Sequence, residues 1–168
     1  MQQLTITTNM QNSQEKIEII RHSLSHIMAM AVKKLYPEVK FGIGPAIENG
    51  FYYDFDLGDT KITPEDLPKI EKEMQAIIKS NVNFIKKEIS QNEALSTFAE
   101  QPYKLELAKE LGEQKVATYQ SENFIDLCAG PHISNTKEIN PLSFKLTKLA
   151  GAYWRGNEHN KMLTRIYG

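Results

Sequence analysis

The sequence predicts an α+β fold in which a mostly antiparallel sheet packs on a long helix in the N-terminal half, beside a smaller second α/β subdomain. An apolar repeat at intervals of three and four residues predicts the long helix. Several short apolar runs after Gly112 are separated by glycine and proline, which is typical of antiparallel strands. Strands and helices interleave without a regular strand-helix-strand rhythm, which disfavours a parallel sheet.

The overall composition is that of one ordinary domain. The chain has 168 residues, 40% of them hydrophobic, and its 20 basic residues nearly balance its 21 acidic ones, so the totals require no polyanionic partner. The single cysteine, Cys128, excludes an intramolecular disulfide. Neither a signal peptide nor an apolar run of about 20 residues occurs. These features predict a reduced, cytoplasmic setting and no membrane segment.

The long helix is predicted from Ser13 to Tyr36. Asn12 and Glu15 have the spacing of a capping box, and Pro37 marks the end of the helix. The apolar stripe comprises Ile17, Ile20, Leu24, Ile27 or Met28, Ala31 and Leu35. The preceding segment, Leu4 to Thr8, alternates weakly and is either a short strand or an irregular start.

A β-hairpin and a second helix are predicted next. The apolar and aromatic runs 41–47 and 51–55 flank Asn49-Gly50, the dipeptide that best suits a type I′ turn. Thr63 and Pro64 then provide an N-cap and a first-turn proline. The amphipathic helix that follows presents Leu67, Ile70, Met74, Ile77 and Ile78 on one face.

The remaining elements are shorter. We expect a strand over 82–89, a helix capped by Ser90 through Phe98, and a helix over 103–111 that ends at Gly112 in the left-handed conformation. Four further strands are expected over 116–119, 124–128, 144–149 and 162–167.

Two histidines on the long helix are the first candidates for chemistry. His22 and His26 lie four residues apart, so both side chains project from one helix face and can converge on one small object. That face lies almost opposite the apolar stripe. Two other interpretations remain open: the imidazoles face solvent, or hydrogen bonds satisfy them beneath a second layer.

Cys128 and His132 are the second pair of candidates, separated by a turn through Gly130-Pro131. Taken alone, a buried structural cysteine beside a surface histidine explains them. Together with His22 and His26, they offer four nitrogen and sulfur donors, the inventory of a tetrahedral zinc site or of a polar nest for a water.

Four motifs follow one another along the chain: Arg21-His22-Ser23-Leu24-Ser25-His26, Gly50-Phe51-Tyr52-Tyr53-Asp54, Asp126-Leu127-Cys128-Ala129-Gly130-Pro131-His132 and Ala150-Gly151-Ala152-Tyr153-Trp154-Arg155-Gly156. In this order they resemble the editing domain of bacterial threonyl-tRNA synthetases, which is related to alanyl-tRNA editing domains. The resemblance covers about residues 17–168, and the second and fourth motifs are its most specific part.

The resemblance implies a role for each matching residue. His22, His26 and Lys104 would be catalytic, whereas Tyr53, Asp126, Cys128 and His132 would bind substrate. It also implies a water-based site without a required metal; zinc on His22, His26, Cys128 and His132 is the alternative. Ala129 departs from the pattern, because relatives often have arginine there.

The residues themselves leave simpler interpretations open. Tyr53 would be a half-buried packing residue, Lys104 a solvated charge at a helix start, and Asp126 a strand-edge charge that discourages aggregation.

The function implied by the resemblance is hydrolysis of the seryl ester on mischarged tRNA(Thr). The implied partners are the tRNA acceptor end carrying serine and the aminoacylation domain of a threonyl-tRNA synthetase. Residues 1–12 would form an N-terminal extension and 13–168 the editing domain, with subdomains 13–90 and 113–168 contributing the pocket. The alternatives are a non-catalytic module that binds tRNA ends and a small zinc-dependent hydrolase.

Overall fold

The computed structural model describes residues 2–112 and 115–168, with side chains from residue 12 onward. In these residues, four α-helices and eight β-strands alternate, and every strand pairing is antiparallel, which confirms the α+β class. The helices are α1 (Gln2–Leu35), α2 (Leu67–Lys79), α3 (Gln91–Thr97) and α4 (Pro102–Glu110). The strands are β1 (Lys40–Phe41), β2 (Ala46–Ile47), β3 (Gly50–Asp56), β4 (Ile85–Ile89), β5 (Val116–Ser121), β6 (Phe124–Leu127), β7 (Lys148–Tyr153) and β8 (Met162–Tyr167).

The strands form two sheets that both pack on α1. The five-stranded sheet has the order β1-β3-β8-β7, with β2 also paired to β3, and the three-stranded sheet has the order β4-β5-β6. Core side chains from β3, α2 and β5–β6 meet around α1, namely Phe51, Tyr53, Phe55, Ile70, Met74, Tyr119 and Phe124. The second sheet and helices α3 and α4 make up the smaller α/β part, with its own apolar cluster around Phe98 and Val116.

Helix α1 is buried on all sides from residue 23 to residue 32, so this segment has no solvated face. The predicted apolar stripe therefore describes only part of its packing, and Ile17 at the start of the stripe is 47% exposed. Although α1 has 34 residues, none of the helices in the described part of the chain combines the length and hydropathy needed to cross a membrane.

The predicted start of α1 at Ser13 is wrong, because the helix begins at Gln2 and ends at Leu35. The segment from Leu4 to Thr8 is accordingly helical and not a strand. A five-residue alternation without glycine or proline does not stop a helix that is stabilised by tertiary packing further along the chain.

The hairpin is confirmed, but the predicted turn type is wrong. Ile47 pairs with Gly50, so the turn residues are Glu48 and Asn49, and neither Asn49 nor Gly50 has a positive φ. A β-carbon on Gly50 would lie 2.1 Å from the carbonyl oxygen of Gly168. Glycine is therefore needed here for close approach between two chain segments and not for turn geometry.

Most of the later elements lie where the sequence predicts them. Ser90 caps α3 by accepting a hydrogen bond from the backbone N–H of Glu93, and Gly112 has a φ of +67° after α4. The strand predicted over 82–89 begins only at Ile85. The strand predicted over 144–149 is wrong, since β7 spans Lys148–Tyr153 and pairs with β8. Phe144 and Leu146, in the loop before β7, pack on the core without pairing to another strand. Their alternating apolar pattern therefore resembled that of a strand.

Candidate active site

The seven predicted site residues meet between the two sheets. His22 and His26 come from α1, Tyr53 from β3, Lys104 from the first turn of α4, and Asp126 from β6. Cys128 and His132 belong to the turn that follows β6. A cavity of about 190 Å³ opens at this point, lined by His22, His26, Ile43, Gly44, Pro45, Lys104, Asp126, Leu127 and Cys128.

Four of these residues form what we call the His–Cys cluster: His22, His26, Cys128 and His132. One nitrogen or sulfur atom from each lies within 4.8 Å of the corresponding atoms of the others. The Nε2 atoms of His22 and His132 are each 3.4 Å from the Sγ atom of Cys128. The spacing of both pairs in the sequence therefore corresponds to a single cluster in space.

The tautomer of His22 follows from its hydrogen bond to the backbone. Its Nδ1 atom lies 3.2 Å from the carbonyl oxygen of Pro131. Because a carbonyl only accepts, Nδ1 must carry the hydrogen. The Nε2 atom of neutral His22 then presents its lone pair towards Cys128.

Ser23 determines the tautomer of His132 in the same way. The Ser23 hydroxyl donates its one hydrogen to the carbonyl oxygen of Ile19, 2.8 Å away, and accepts the backbone N–H of Ile133 at 3.1 Å. Its remaining lone pair must accept from Nδ1 of His132, at 3.0 Å. Nε2 of His132 therefore also presents a lone pair to Cys128. The sequence did not single out Ser23. Only the structure identifies it, because Ser23 lies beside His22 on a helix segment that is buried on all sides.

Burial keeps the His–Cys cluster uncharged near neutral pH. It lowers the pKa of His22, although the Pro131 hydrogen bond opposes this, and it lowers the pKa of His26 and His132 strongly, with neighbouring imidazoles adding to the effect. Burial also raises the pKa of the Cys128 thiol to about 11. The cluster thus holds lone pairs and one thiol hydrogen, and carries no formal charge.

The other three residues, Tyr53, Lys104 and Asp126, form what we call the charged group. The Nζ atom of Lys104 lies 2.5 Å from Oδ1 of Asp126, and the hydroxyl of Tyr53 donates to Oδ2 at 2.7 Å. All three are almost completely buried, at 3%, 2% and 0% exposure for Lys104, Asp126 and Tyr53. The simpler interpretations of a solvated lysine, an edge aspartate and a half-buried tyrosine are therefore wrong.

Asp126 connects the charged group to the His–Cys cluster and keeps one acceptor site unused. Nε2 of His26 lies 3.4 Å from its Oδ2 atom. Its Oδ1 atom lies 2.5 Å from the Lys104 ammonium, which engages one of its lone pairs, and among residues 12–112 and 115–168 no donor occupies the second lone pair. A buried carboxylate oxygen in this state favours a further hydrogen-bond donor.

The turn after β6 brings Cys128 and His132 to the same point. Gly130 has a φ of +78°, and a β-carbon there would lie 2.4 Å from the Tyr119 hydroxyl, so only glycine fits. Its N–H donates to Sγ of Cys128 at 3.2 Å. Ala129, between them, is exposed on the outside of the turn.

A wider cleft adjoins the site. It has a volume of about 360 Å³ and shares His22 and Pro45 with the smaller cavity; the other lining residues are Glu15, Glu18, Ile19, Ala46 and Pro131. A larger groove, about 580 Å³, lies by the C-terminal ends of α1 and α2 and includes none of the seven site residues. Size alone therefore does not locate the chemistry.

The donor set of the His–Cys cluster fits a zinc ion. Zinc bonds of about 2.0–2.1 Å to nitrogen and 2.3 Å to sulfur place tetrahedral ligands about 3.3–3.8 Å apart, and the two Nε2–Sγ separations of 3.4 Å agree with that range. Nδ1–H groups of His22 and His132 bind oxygen acceptors outside the cluster, as in metal sites where outer partners orient the imidazoles.

Comparison with known proteins shows which sequences this chain is similar to. Residues 116–167 match the family described as threonyl and alanyl tRNA synthetase second additional domain. Threonine–tRNA ligase from Dehalococcoides mccartyi is 55% identical over 152 residues, which is 90% of this chain and 26% of the relative. The Thermotoga maritima and Enterococcus faecalis threonine–tRNA ligases are 53% and 51% identical over 156 residues, which is 92% of this chain and 24% of each relative.

The chain thus spans about a quarter of the length of these relatives. The similarity extends over nine-tenths of the chain, beyond the 52-residue family match, and includes the histidines of α1 as well as the turn after β6. Residues 116–167 therefore belong to the family of the threonyl and alanyl tRNA synthetase second additional domain, and nine-tenths of the chain is similar to a segment of threonine–tRNA ligases that includes it.

Proposed function

We propose that this chain removes serine from tRNA(Thr) wrongly charged with serine, by hydrolysing the ester at the 3′ end of the tRNA. The observation that carries the proposal is the convergence of three groups on one small cavity: the Lys104 ammonium, the carboxylate of Asp126 with one acceptor site remaining, and the neutral imidazole of His22. Hydrolysis of an aminoacyl ester involves the ester carbonyl, the substrate ammonium and an attacking water. A cation, a carboxylate and a neutral imidazole can bind these three groups, in that order.

The chemistry needs orientation more than a strong base, because the ester is already activated. Nε2 of His22 carries a lone pair and would hold the attacking water through one of its hydrogens. Lys104, as an ammonium already held by Asp126, would stabilise the oxyanion that forms when water adds to the carbonyl. In a buried site this electrostatic contribution is usually the largest part of catalysis.

Recognition of the amino acid would fall to the remaining residues. Oδ1 of Asp126 would accept a hydrogen bond from the substrate ammonium or the seryl hydroxyl, while Tyr53 and His26 hold the carboxylate in place. Cys128 would form part of the polar wall of the cavity, and His132 would support it from behind, with Nε2 3.4 Å from Sγ of Cys128. Threonine differs from serine by one methyl, which is worth only about 1–3 kcal/mol in a binding pocket, so a second and smaller sieve provides the discrimination.

The tRNA end would enter through the adjoining cleft. That cleft of about 360 Å³ meets the cavity at His22 and Pro45, and it would take the terminal nucleoside while the cavity takes the seryl group. We assign residues 13–168 to the working unit, since 13–90 and 113–168 each supply part of the pocket and the segment between them supplies Lys104. Its net charge of −1 offers little attraction for RNA, so the aminoacylation domain of a synthetase would help to hold the tRNA.

Zinc is the alternative support for the reaction. His22, His26, Cys128 and His132 would hold the ion. Because zinc with four protein ligands has no open position, one of them would have to leave the ion before the metal could activate a water or polarise the ester carbonyl. We favour a site that works without it, because Lys104 already supplies a positive charge beside the cavity.

The decisive experiment measures deacylation of Ser-tRNA(Thr) and Thr-tRNA(Thr) by this chain, with and without a chelator. We expect serine to be released much faster than threonine, the rate to survive chelation, and the exposed control Lys69→Ala on α2 to match the parent. Equal rates for the two esters, or no rate above that in buffer, would overturn the proposal. Tight binding of Ser-tRNA(Thr) without turnover would identify a binding module, and activity that only zinc restores would identify a zinc hydrolase.

A further inference from the structure

The motif Tyr153-Trp154-Arg155-Gly156 lies outside the cavity, and the proposed reaction gives it no role. We infer that Trp154 and Arg155 are positioning residues, which hold α4 so that Lys104 stays against Asp126. The inference rests on the proposed function, because it assigns to this turn the orientation of the lysine used there.

The turn binds α4 mainly through one carboxylate. The indole N–H of Trp154 donates to Oε2 of Glu106 at 3.0 Å, and Nε of Arg155 lies 2.7 Å from Oε1 of the same residue. Nη2 of Arg155 also lies 2.7 Å from Oε1 of Glu110, one helical turn further on. Trp154 and Arg155 are thereby connected to two successive helical turns of α4.

A second set of contacts fixes the N-terminal end of α4. The ring of Tyr103, the residue before Lys104, packs on the ring of Trp154 with 4.9 Å between centroids. The Tyr103 hydroxyl donates to Oδ2 of Asp56 at 2.6 Å, and Lys161 pairs with the other oxygen of Asp56 at 2.9 Å. The backbone on both sides of Lys104 is therefore held to the five-stranded sheet.

The ion pairs of Arg155 with Glu106 and Glu110 are exposed to solvent. This favours a role in orienting α4 over a large contribution to the free energy of unfolding. Arg155, Glu106 and Glu110 have side chains that are 38%, 46% and 53% exposed, and ion pairs at such positions contribute little to the free energy of unfolding. Yet Arg155 adopts a φ of +57°, a conformation that costs an L-residue energy and persists where surrounding contacts hold it.

Lys104 has particular need of such support. Helix α4 has only nine residues, and its own stability is small. The buried ammonium of Lys104 must meet Oδ1 of Asp126 and also face the cavity. A displacement of about 1 Å at a reacting group can cost about a hundredfold in rate, so small tilts of α4 would be costly.

The test combines single variants with a Lys104 background. Trp154→Phe removes the indole donor while keeping a ring against Tyr103, and Glu106→Gln removes the charge that Arg155 binds. We expect each to lower kcat for Ser-tRNA(Thr) deacylation about tenfold with KM unchanged, whereas Lys109→Gln, an exposed change on the same helix, leaves both unchanged. In Lys104→Met protein, neither change should lower the residual rate further.

The outcomes separate a positioning role from a structural one. Equal losses of rate in the parent and Lys104→Met backgrounds, or losses that merely follow a fall in melting temperature, would overturn the inference. Glu106→Asp, which keeps the charge on a shorter side chain, should restore part of the rate lost in Glu106→Gln.

A second measurement distinguishes failure of this inference from failure of the proposed function. The ¹⁵N resonance of the Lys104 ammonium can be followed by NMR without any substrate. If the parent shows no deacylation, the proposed function fails, but a shifted or broadened Lys104 signal in Trp154→Phe still supports the coupling. An unchanged Lys104 signal in both Trp154→Phe and Glu106→Gln would overturn the coupling whatever the activity.

Discussion

The charged group and the His–Cys cluster, the two halves of the site, are held in place by different interactions. The charged group places a buried ammonium against a buried carboxylate with a tyrosine hydroxyl on the far side. The His–Cys cluster, only one contact away through His26, carries no charge, and its imidazoles are oriented by hydrogen bonds from Nδ1 to a carbonyl and to a serine hydroxyl. One half depends on charge balance, and the other depends on which nitrogen holds a hydrogen.

This difference shows how the two halves should fail. A buried ion pair leaves a costly unpaired charge when one partner is removed, even if the intact pair adds little stability. A neutral cluster tolerates the loss of a single contact better, but it becomes unstable when protons are added to it. Mutations that alter charge and conditions that alter protonation therefore probe different halves.

The largest effect is expected for Lys104→Met. Loss of the ammonium leaves Asp126 buried without its counter-ion, which we expect to cost about 3–5 kcal/mol in the free energy of unfolding. Deacylation should fall at least about a hundredfold if Lys104 stabilises the oxyanion. Urea titration and single-turnover kinetics measure the two quantities.

The double variant Lys104→Met with Asp126→Asn separates those two losses. Removal of both charges should restore most of the stability, because the amide still accepts the Tyr53 hydrogen bond, yet the rate should stay low. Recovery of the rate along with the stability would show that the lysine serves only the fold.

Ser23→Ala should produce the next largest effect, in the neutral half. It removes the acceptor for two buried donors, the N–H of Ile133 and Nδ1–H of His132, at a cost of about 1–3 kcal/mol in the free energy of unfolding. We also expect His132 to populate its other tautomer, which ¹⁵N chemical shifts of the ring report. Ser25→Ala is the matched control, since that hydroxyl contacts the carbonyls of His22 and Gly44 instead. An unchanged tautomer in Ser23→Ala would contradict the role of the serine.

Acid should weaken the fold through the neutral half. The pKa of His26 in the folded state lies well below the unfolded value of 6.5. The unfolded chain therefore takes up a proton as the pH falls below 6.5, while folded His26 does not, so stability decreases. His26 alone accounts for roughly 1 kcal/mol between neutral pH and pH 5.5, and His132, whose pKa is also lowered, adds to the loss.

Urea titrations at pH 7.5, 6.5 and 5.5 in the presence of a chelator measure this effect. His26→Asn and, separately, His132→Asn should each reduce the slope of stability against pH in this range. A free energy of unfolding that does not change between pH 7.5 and 5.5 would show that the folded cluster accepts protons and is not a neutral group.

Residue spacing predicted the convergence of His22 with His26, and the family resemblance added the other site residues, but neither indicated how these residues are bound. The interval between His22 and His26 is a property of any helix, so their convergence followed directly from the sequence. The burial of Lys104 and Asp126 did not follow from the sequence, because a lysine near a helix start is usually solvated. Lys104 is enclosed by the packing of α4 against β1 and by its ion pair with Asp126 of β6. The ion pair between them is a long-range contact that no local pattern encodes.

The same distinction holds for the fold. Strong local signals predicted α2, the cap of α3 at Ser90 and the strand β8, and those elements lie where they were expected. The start of α1 and the bounds of β7 were wrong, because both depend on contacts with distant segments. Gly50 was correctly singled out for the wrong reason, since the constraint on it comes from Gly168, far away in the sequence.

Ala129→Arg should have the smallest effect. It tests whether a charge added at the surface beside the His–Cys cluster affects tRNA binding alone. Ala129 is exposed on the turn that carries Cys128 and His132, so an arginine there reaches solvent without disturbing the cluster. One additional phosphate contact should lower KM for Ser-tRNA(Thr) about threefold at low salt, leave kcat unchanged, and steepen the dependence of log affinity on log salt by about one unit. Ala129→Gln is the matched control of similar length without the charge. A change in kcat, or a gain in affinity that persists at high salt, would mean that the arginine acts on the site itself, because a peripheral phosphate contact is screened by ions whereas a buried one is not.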